Sequence, residues 1–131
     1  MSTILVPVDF SEETPEVIEC AAMLARRNRS RLVLLHVAPG ARPAADGLAA
    51  VEAGDQLERL ERYLREEGLE VSTARREGEP AREIVACRGA LAADCIIMGR
   101  HDHAPAAGGT IAGPVTRYVE EQAGCTVVAV P

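Results

Sequence analysis

Five strand-like runs, each separated from the next by a stretch of helical period, restrict this chain more than any other feature of its sequence. The runs are Ile4–Val8, Leu32–Val37, Leu69–Arg76, Asp94–Met98 and Cys125–Val130. Four are almost wholly apolar, as strands buried on both faces must be. The run Leu69–Arg76 alternates with polar residues and is expected at a sheet edge. Pro7 cannot donate to a strand ladder, so it belongs near the end of its strand.

The intervening stretches carry helix signals. Ser11 or Thr14 is a candidate cap before Pro15, which suits a first helical position, and Val17, Ile18, Ala21, Leu24 and Ala25 then form one apolar stripe. Glu12, Glu13 and Glu16 at its start and Arg26, Arg27 and Arg29 at its end complement the helix dipole. A second helix is expected from Leu48 to Glu67, with Val51, Leu57, Leu60 and Leu64 on one side and Gly68 as its stop. Gly78-Glu79-Pro80 opens a third, with Ile84, Val85 and Leu91 facing inward, and Gly113 to Gln122 forms a fourth. The segment from Pro39 to Gly47 has no period and reads as a surface loop. Strands that alternate with helices predict an α/β fold over residues 1–131: a single domain with one parallel sheet, right-handed crossovers and helices on both faces.

Composition narrows the partners. The chain is 47% hydrophobic with no Trp, one Phe and two Tyr, so its core must be aliphatic. Its net charge is −6, and all 14 positive residues are Arg. An acidic domain without basic patches is a poor ligand for nucleic acid or an anionic membrane. The N-terminus has no basic region, and no apolar run approaches the ~20 residues of a membrane span, so the cytosol is the expected compartment. Cys20, Cys87, Cys95 and Cys125 are dispersed and read as small buried apolar residues rather than a disulfide or metal set.

In a parallel sheet of this kind, ligands bind beyond the strand C-termini where the strand order reverses. Asp9 follows the first strand and Gly99 the fourth, and a crevice lies between them if those strands are neighbours. From Gly99 a polar loop runs to Gly113, which opens the last helix. Strand, glycine loop and helix N-terminus form a phosphate cradle because backbone N–H groups there point at the anion. Two residues oppose that use: Asp102 adds a negative charge, and Pro114 removes an N–H. Arg100 could reach a phosphate bidentately. Gly108-Gly109-Thr110 gives the loop freedom to form a different cradle.

Each conspicuous residue has a structural alternative. Asp9 orients a nucleotide or caps the next helix; Thr116 contacts a phosphate or bonds back to the backbone; Gly113 is a cradle glycine or simply an N-cap. His101 and His103 flank Asp102 but lack a fourth ligand for a metal. His36 reads as a packed strand-end residue. No Gly-x-Ser-x-Gly elbow is present, a Gly-x-x-x-x-Gly-Lys loop is impossible without Lys, and the first strand turn lacks Gly-x-Gly-x-x-Gly.

The motifs Ile4-Leu5-Val6-Pro7-Val8-Asp9-Phe10-Ser11-Glu12, Leu34-Leu35-His36-Val37, Gly78-Glu79-Pro80, Ile96-Ile97-Met98-Gly99-Arg100-His101 and Cys125-Thr126-Val127-Val128-Ala129-Val130 stand in order along the whole chain. Together they resemble the universal stress protein family. The resemblance implies the adenine-nucleotide alpha-hydrolase-like fold, with strand order 3-2-1-4-5. It also implies a homodimer joined through the last strand. ATP or another adenine nucleotide, with Mg accompanying ATP, would lie between strands one and four. The resemblance places Pro7, Val8, Asp9, Val37, Gly99 and Gly113 at the nucleotide, and Met98, Arg100, Val115 and Thr116 beside them complete the candidate site.

The family holds phosphates with Gly, two residues, Gly, nine residues, Gly, then Ser or Thr. Here the second glycine is Asp102, the spacer to Gly113 has ten residues, and Pro114 replaces the hydroxyl residue. The expected function is therefore a non-catalytic, stress-related regulatory or interaction module with a degraded ATP motif and an unidentified protein partner. The alternative is an adenine-nucleotide sensor with an altered phosphate loop; a slow ATP hydrolase ranks below both, for want of a Lys or general base to act on a phosphoryl group.

Overall fold

The computed structural model describes residues 2–38, 47–100 and 113–131. Strands and helices alternate through them as β1 (Thr3–Pro7), α1 (Thr14–Asn28), β2 (Arg31–Ala38), α2 (Gly47–Glu66), β3 (Val71–Glu77), α3 (Pro80–Leu91), β4 (Cys95–Gly99), α4 (Pro114–Gln122) and β5 (Thr126–Val130). All strand pairings are parallel, in the order β3-β2-β1-β4-β5. The expected order is the observed one, and the alternating strand Val71–Glu77 lies at an edge. The loop read from Pro39 to Gly47 lies outside the described residues up to position 46; Gly47 itself begins α2.

The period-two alternation of the strands divides the core into two aliphatic layers. Ile4, Val6, Val8, Leu32, Leu34 and Ile97 face α1 and α2, meeting Val17, Ile18, Ala21, Leu57 and Leu64. Leu5, Val33, Leu35, Ile96 and Met98 face α3 and α4, meeting Ile84, Cys87 and Val119. Every strand of the central trio is thus apolar on both sides, which is why its sequence shows no polar alternation. Pro7 ends β1, and the ladder continues one residue on, where the Val8 N–H donates to the Leu35 carbonyl at 2.8 Å.

The helices stop and start on local chemistry. Glu79 caps α3 by accepting from the Arg82 N–H at 2.9 Å, with Pro80 in its first turn. Gly68 takes φ +87° after α2, a conformation that costs a glycine little. Two sequence expectations need correction. Val51 is 59% exposed, whereas Leu57 and Leu64 are buried. The buried seam of α2 is Ala53, Leu57, Leu60 and Leu64, and Val51 lies two residues before it, about 200° round the helix. Neither Ser11 nor Thr14 caps α1 by its side chain: the N-cap position is Glu13, Thr14 is already helical, and the Thr14 hydroxyl turns to Asp9 instead.

Candidate functional site

β1 lies between β2 and β4, so the chain direction across the sheet reverses beside it, as the sheet rule requires for a ligand crevice. A cavity of about 320 Å³ opens there, within the range of small-molecule pockets. Its walls are mostly aliphatic, from Val8, Val17, Leu35, Val37, Ile84, Met98 and Val115, with Pro7 and Pro80. Its polar groups come from Asp9, Glu13, Thr14, Gly99 and Thr116.

Eight of the ten residues expected at the site line this one cavity: Pro7, Val8, Asp9, Val37, Met98, Gly99, Val115 and Thr116. Arg100 and Gly113 do not line it but join each other beside it. The Gly113 N–H donates to the Arg100 carbonyl at 3.0 Å, and the Arg100 N–H to the Val130 carbonyl at 2.8 Å. His101, Asp102, His103 and Gly108-Gly109-Thr110 lie outside the described residues. Among the described residues, no group of three His, Cys, Asp or Glu side chains is arranged to hold a metal.

The β1–α1 turn builds one rim. Asp9 Oδ1 accepts from the Ser11 N–H at 2.9 Å and from the Thr14 hydroxyl at 3.4 Å. Ser11 Oγ in turn accepts from the Glu13 N–H at 3.3 Å. Phe10 between them takes φ +59°, a strained left-handed conformation for a bulky residue, and its ring lies 5.4 Å from that of His36. Asp9 thus folds the turn ahead of α1 instead of capping the helix, and the same carboxylate lines the crevice. Glu13, which the sequence suggests only as a helix-dipole partner, is swung over Gly99. A Cβ built on Gly99 would overlap Glu13 Oε2 and lie 3.4 Å from its Cδ. No spacing signal points to Glu13, because its approach depends on the turn that Asp9 and Ser11 fold.

The opposite rim is the start of α4. Pro114 occupies its first turn after an extended Gly113. Thr116, 1% exposed, donates its hydroxyl to the Gly99 carbonyl at 3.0 Å and so ties α4 to the end of β4. Thr116 is thus neither solvated nor bonded back within its own helix, since its acceptor is on the strand. Thr116→Val keeps the shape and removes the donor. It is expected to cost about 1–2 kcal/mol, seen as a lower urea midpoint at unchanged slope. An unmoved midpoint would deny the bond that role.

His36 is half-buried, and its Nδ1 is buried with no hydrogen-bond partner among the described residues. Burial pushes its pKa below the ordinary value, the Arg75 guanidinium pushes it further, and Asp9 opposes both. The unfolded chain therefore takes up this proton at higher pH than the folded one. The stability associated with neutral His36 is complete above about pH 6.5 and is lost as pH falls through the lower folded value. His36→Leu should flatten the slope of stability against pH below that point by less than one proton. Identical slopes in urea titrations of the two proteins would contradict this assignment.

The sequence matches the family model described as the universal stress protein family across residues 1–131. The chain belongs to the universal stress protein family. A universal stress protein of Synechocystis is 31% identical over 134 residues, covering 98% of this chain and 85% of the relative. A universal stress protein of Archaeoglobus fulgidus superposes with a TM-score of 0.85 at 27% identity, covering 100% of this chain and 99% of that one. The structure of a universal stress protein from the same organism in complex with dAMP superposes with a TM-score of 0.81 at 25% identity, covering 100% and 98%. The five-stranded sheet in the order 3-2-1-4-5 is the fold these universal stress proteins share with this chain. No described helix is long and apolar enough to cross a membrane.

Proposed function

We propose that this universal stress protein is a non-catalytic, stress-related regulatory module whose crevice receives the adenosine end of an adenine nucleotide and grips a triphosphate poorly. The observation that carries this reading is the commitment of the phosphate-end donors elsewhere. The Gly113 N–H serves the Arg100 carbonyl, Pro114 has no N–H, and the Thr116 hydroxyl serves the Gly99 carbonyl. A helix N-terminus binds anions through such donors, and losing each one weakens the grip by about 1 kcal/mol. The aliphatic walls at Val8, Val37 and Met98 suit a base, and Asp9 suits the hydroxyls of a ribose. Were magnesium to accompany ATP, the Asp9 and Glu13 carboxylates that line the crevice would be the hard-cation donors available to it.

A second reading, nucleotide sensing, draws on the Archaeoglobus fulgidus relative in complex with dAMP. In it, occupancy of the same crevice shifts dimer or partner equilibria through differential affinity. Both readings place the protein in the cytosol, where four free thiols persist, as a homodimer joined through β5 with a further protein partner. A hydrolase reading has less support, since the chain contains no Lys to stabilise a transferring phosphoryl group.

Calorimetric titration with AMP and with ATP, with and without magnesium, tests the proposal. Saturable AMP binding with ATP weaker than ~10 μM, about −7 kcal/mol, is the expected result. Tighter ATP binding would remove the weak-grip reading. Phosphate release that vanishes in Asp9→Ala would replace it with an enzyme.

A further inference from the structure

We infer that the groove between α1 and α2 is a docking site for an amphipathic helix of a protein partner, one with apolar anchors along one face and Arg or Lys beside them. The inference rests on the regulatory-module reading above, which calls for a protein partner, and gives that partner a place and a chemistry. α1 and α2 cover the same face of the sheet, and an open cavity of about 890 Å³ runs between them. Its floor is buried and aliphatic, formed by Ile18, Ala22 and Leu64. Met23 and Tyr63 stand over it, 53% and 56% exposed, with Leu60 half-buried. Exposed large apolar side chains number four among the described residues, and two of the four line this one groove. Scattered singly such residues mean little, but Met and Tyr gathered over an apolar floor have the composition of an interface.

Charge and shape select the occupant. Glu16, Glu19 and Glu67 line the groove against a single cation, Arg26, which is already paired with Glu67 at 3.1 Å. Glu16, in the first turn of α1, serves the helix dipole. Glu19 lies beyond that turn and has no ion pair among the described residues, so its carboxylate faces a cation brought from outside. The α2 wall begins at Leu60, about 20 Å along the axis from Gly47, and so stands well away from the loop before that helix. From Pro15 to Arg26 the groove runs about 16 Å, the length of three helical turns. Both walls are helices whose backbone bonds are internal, so a strand laid here would find no ladder to join. A helix brings its own bonds with it. A nucleic acid or anionic lipid would meet carboxylates. A second copy has no free helix to offer, since each of its four described helices packs on the sheet.

Fluorescence anisotropy with three synthetic helical peptides, each about three to four turns long, tests this inference. The first carries Leu along one face with Arg beside it, the second has Glu for each Arg, and the third has Ser for each Leu. The native protein should bind the Leu/Arg peptide about 10-fold or more tightly than either of the others. Met23→Ser and Tyr63→Ser should each weaken that binding about 10-fold, whereas Val51→Ser, outside the groove, should stay within about 2-fold. Glu19→Arg should weaken the Leu/Arg peptide about 5-fold or more and strengthen the Leu/Glu peptide, an exchange of preference that lost packing does not produce. All four positions are exposed, so the variants should fold. Equal binding of the Leu/Arg and Ser/Arg peptides would leave only charge attraction and overturn the docking site. Failure of the Leu/Arg peptide to bind, or native-strength binding by both Met23→Ser and Tyr63→Ser, would overturn it as well. A mass by light scattering that falls from the native protein to Tyr63→Ser would give the groove to a second copy instead. AMP titration of the same variants reads the nucleotide crevice separately, so loss of the groove and loss of the adenine site are told apart.

Discussion

Leu5→Ala is expected to lower the unfolding free energy by about 3–5 kcal/mol, the largest loss from any single truncation argued for this fold. Leu5 is 0% exposed on the central strand, paired with Val33 of β2 and Ile96 of β4. Its side chain belongs to the layer that Ile84 of α3 and Val119 of α4 close from outside. Neighbours on four elements leave no easy route to collapse, so most of the vacated volume persists as a cavity. A domain of this size has about 5–15 kcal/mol of stability in total, and such a loss should approach the limit of folding. The paired control is Val51→Ala, on the exposed side of α2, which should stay within about 0.5 kcal/mol of the native protein. Urea unfolding of both variants checks the contrast. A loss below about 1 kcal/mol for Leu5→Ala would mean that the layer repacks freely.

Those two residues also mark what could be read in the sequence. Leu5 sits in an uninterrupted aliphatic run bounded by Asp9, and a strand covered on both faces must look that way. The β–α alternation then left the sheet little choice but parallel pairing, and Pro7, Gly68 and Pro80 set ends close to those observed. The strand order came from resemblance, since period and composition do not order parallel strands. Val51 failed because one face of a long helix is wide enough to admit several apolar stripes. Which stripe is buried depends on how α2 lies against β2 and β3, and that is a tertiary fact.

The site was legible where it rests on backbone topology and obscure where it rests on side-chain reach. Asp9 and Gly99 open onto one crevice because they terminate adjacent strands, so strand order alone was enough to join them. Arg100 and Gly113 belong to the same neighbourhood yet serve each other through backbone atoms, and no motif states which polar groups a chain has already satisfied. Glu13 was hidden for a further reason. Its carboxylate reaches Gly99 only after Asp9 and Ser11 fold the preceding turn and Phe10 accepts a left-handed backbone. The acid that sequence places at the phosphate loop, Asp102, lies outside the described residues; the acid the structure brings to Gly99 comes from another element.

Val128→Lys is expected to convert the proposed β5-joined dimer to monomer, weakening self-association by about 100-fold or more. β5 is an end strand of the sheet, and Val127, Val128, Ala129 and Val130 remain only half-buried within one chain. An apolar strand with an open ladder edge is a template for pairing, and soluble proteins cover it or charge it. The described part of this strand carries no charge, so a second copy related by a two-fold axis is the simplest cover, burying the same strand from both subunits. Lysine at its centre would bring two ammonium groups into that contact, and about 2.7 kcal/mol of lost association energy is the stated 100-fold. Val128 also packs on the layer under α1, so circular dichroism must show the variant folded before its mass is read. Val51→Lys, on the exposed side of α2, controls for added charge and should remain dimeric. Light scattering across a concentration series decides the matter: a native protein that stays monomeric, or a folded Val128→Lys that stays dimeric, would exclude β5 as the joint between subunits.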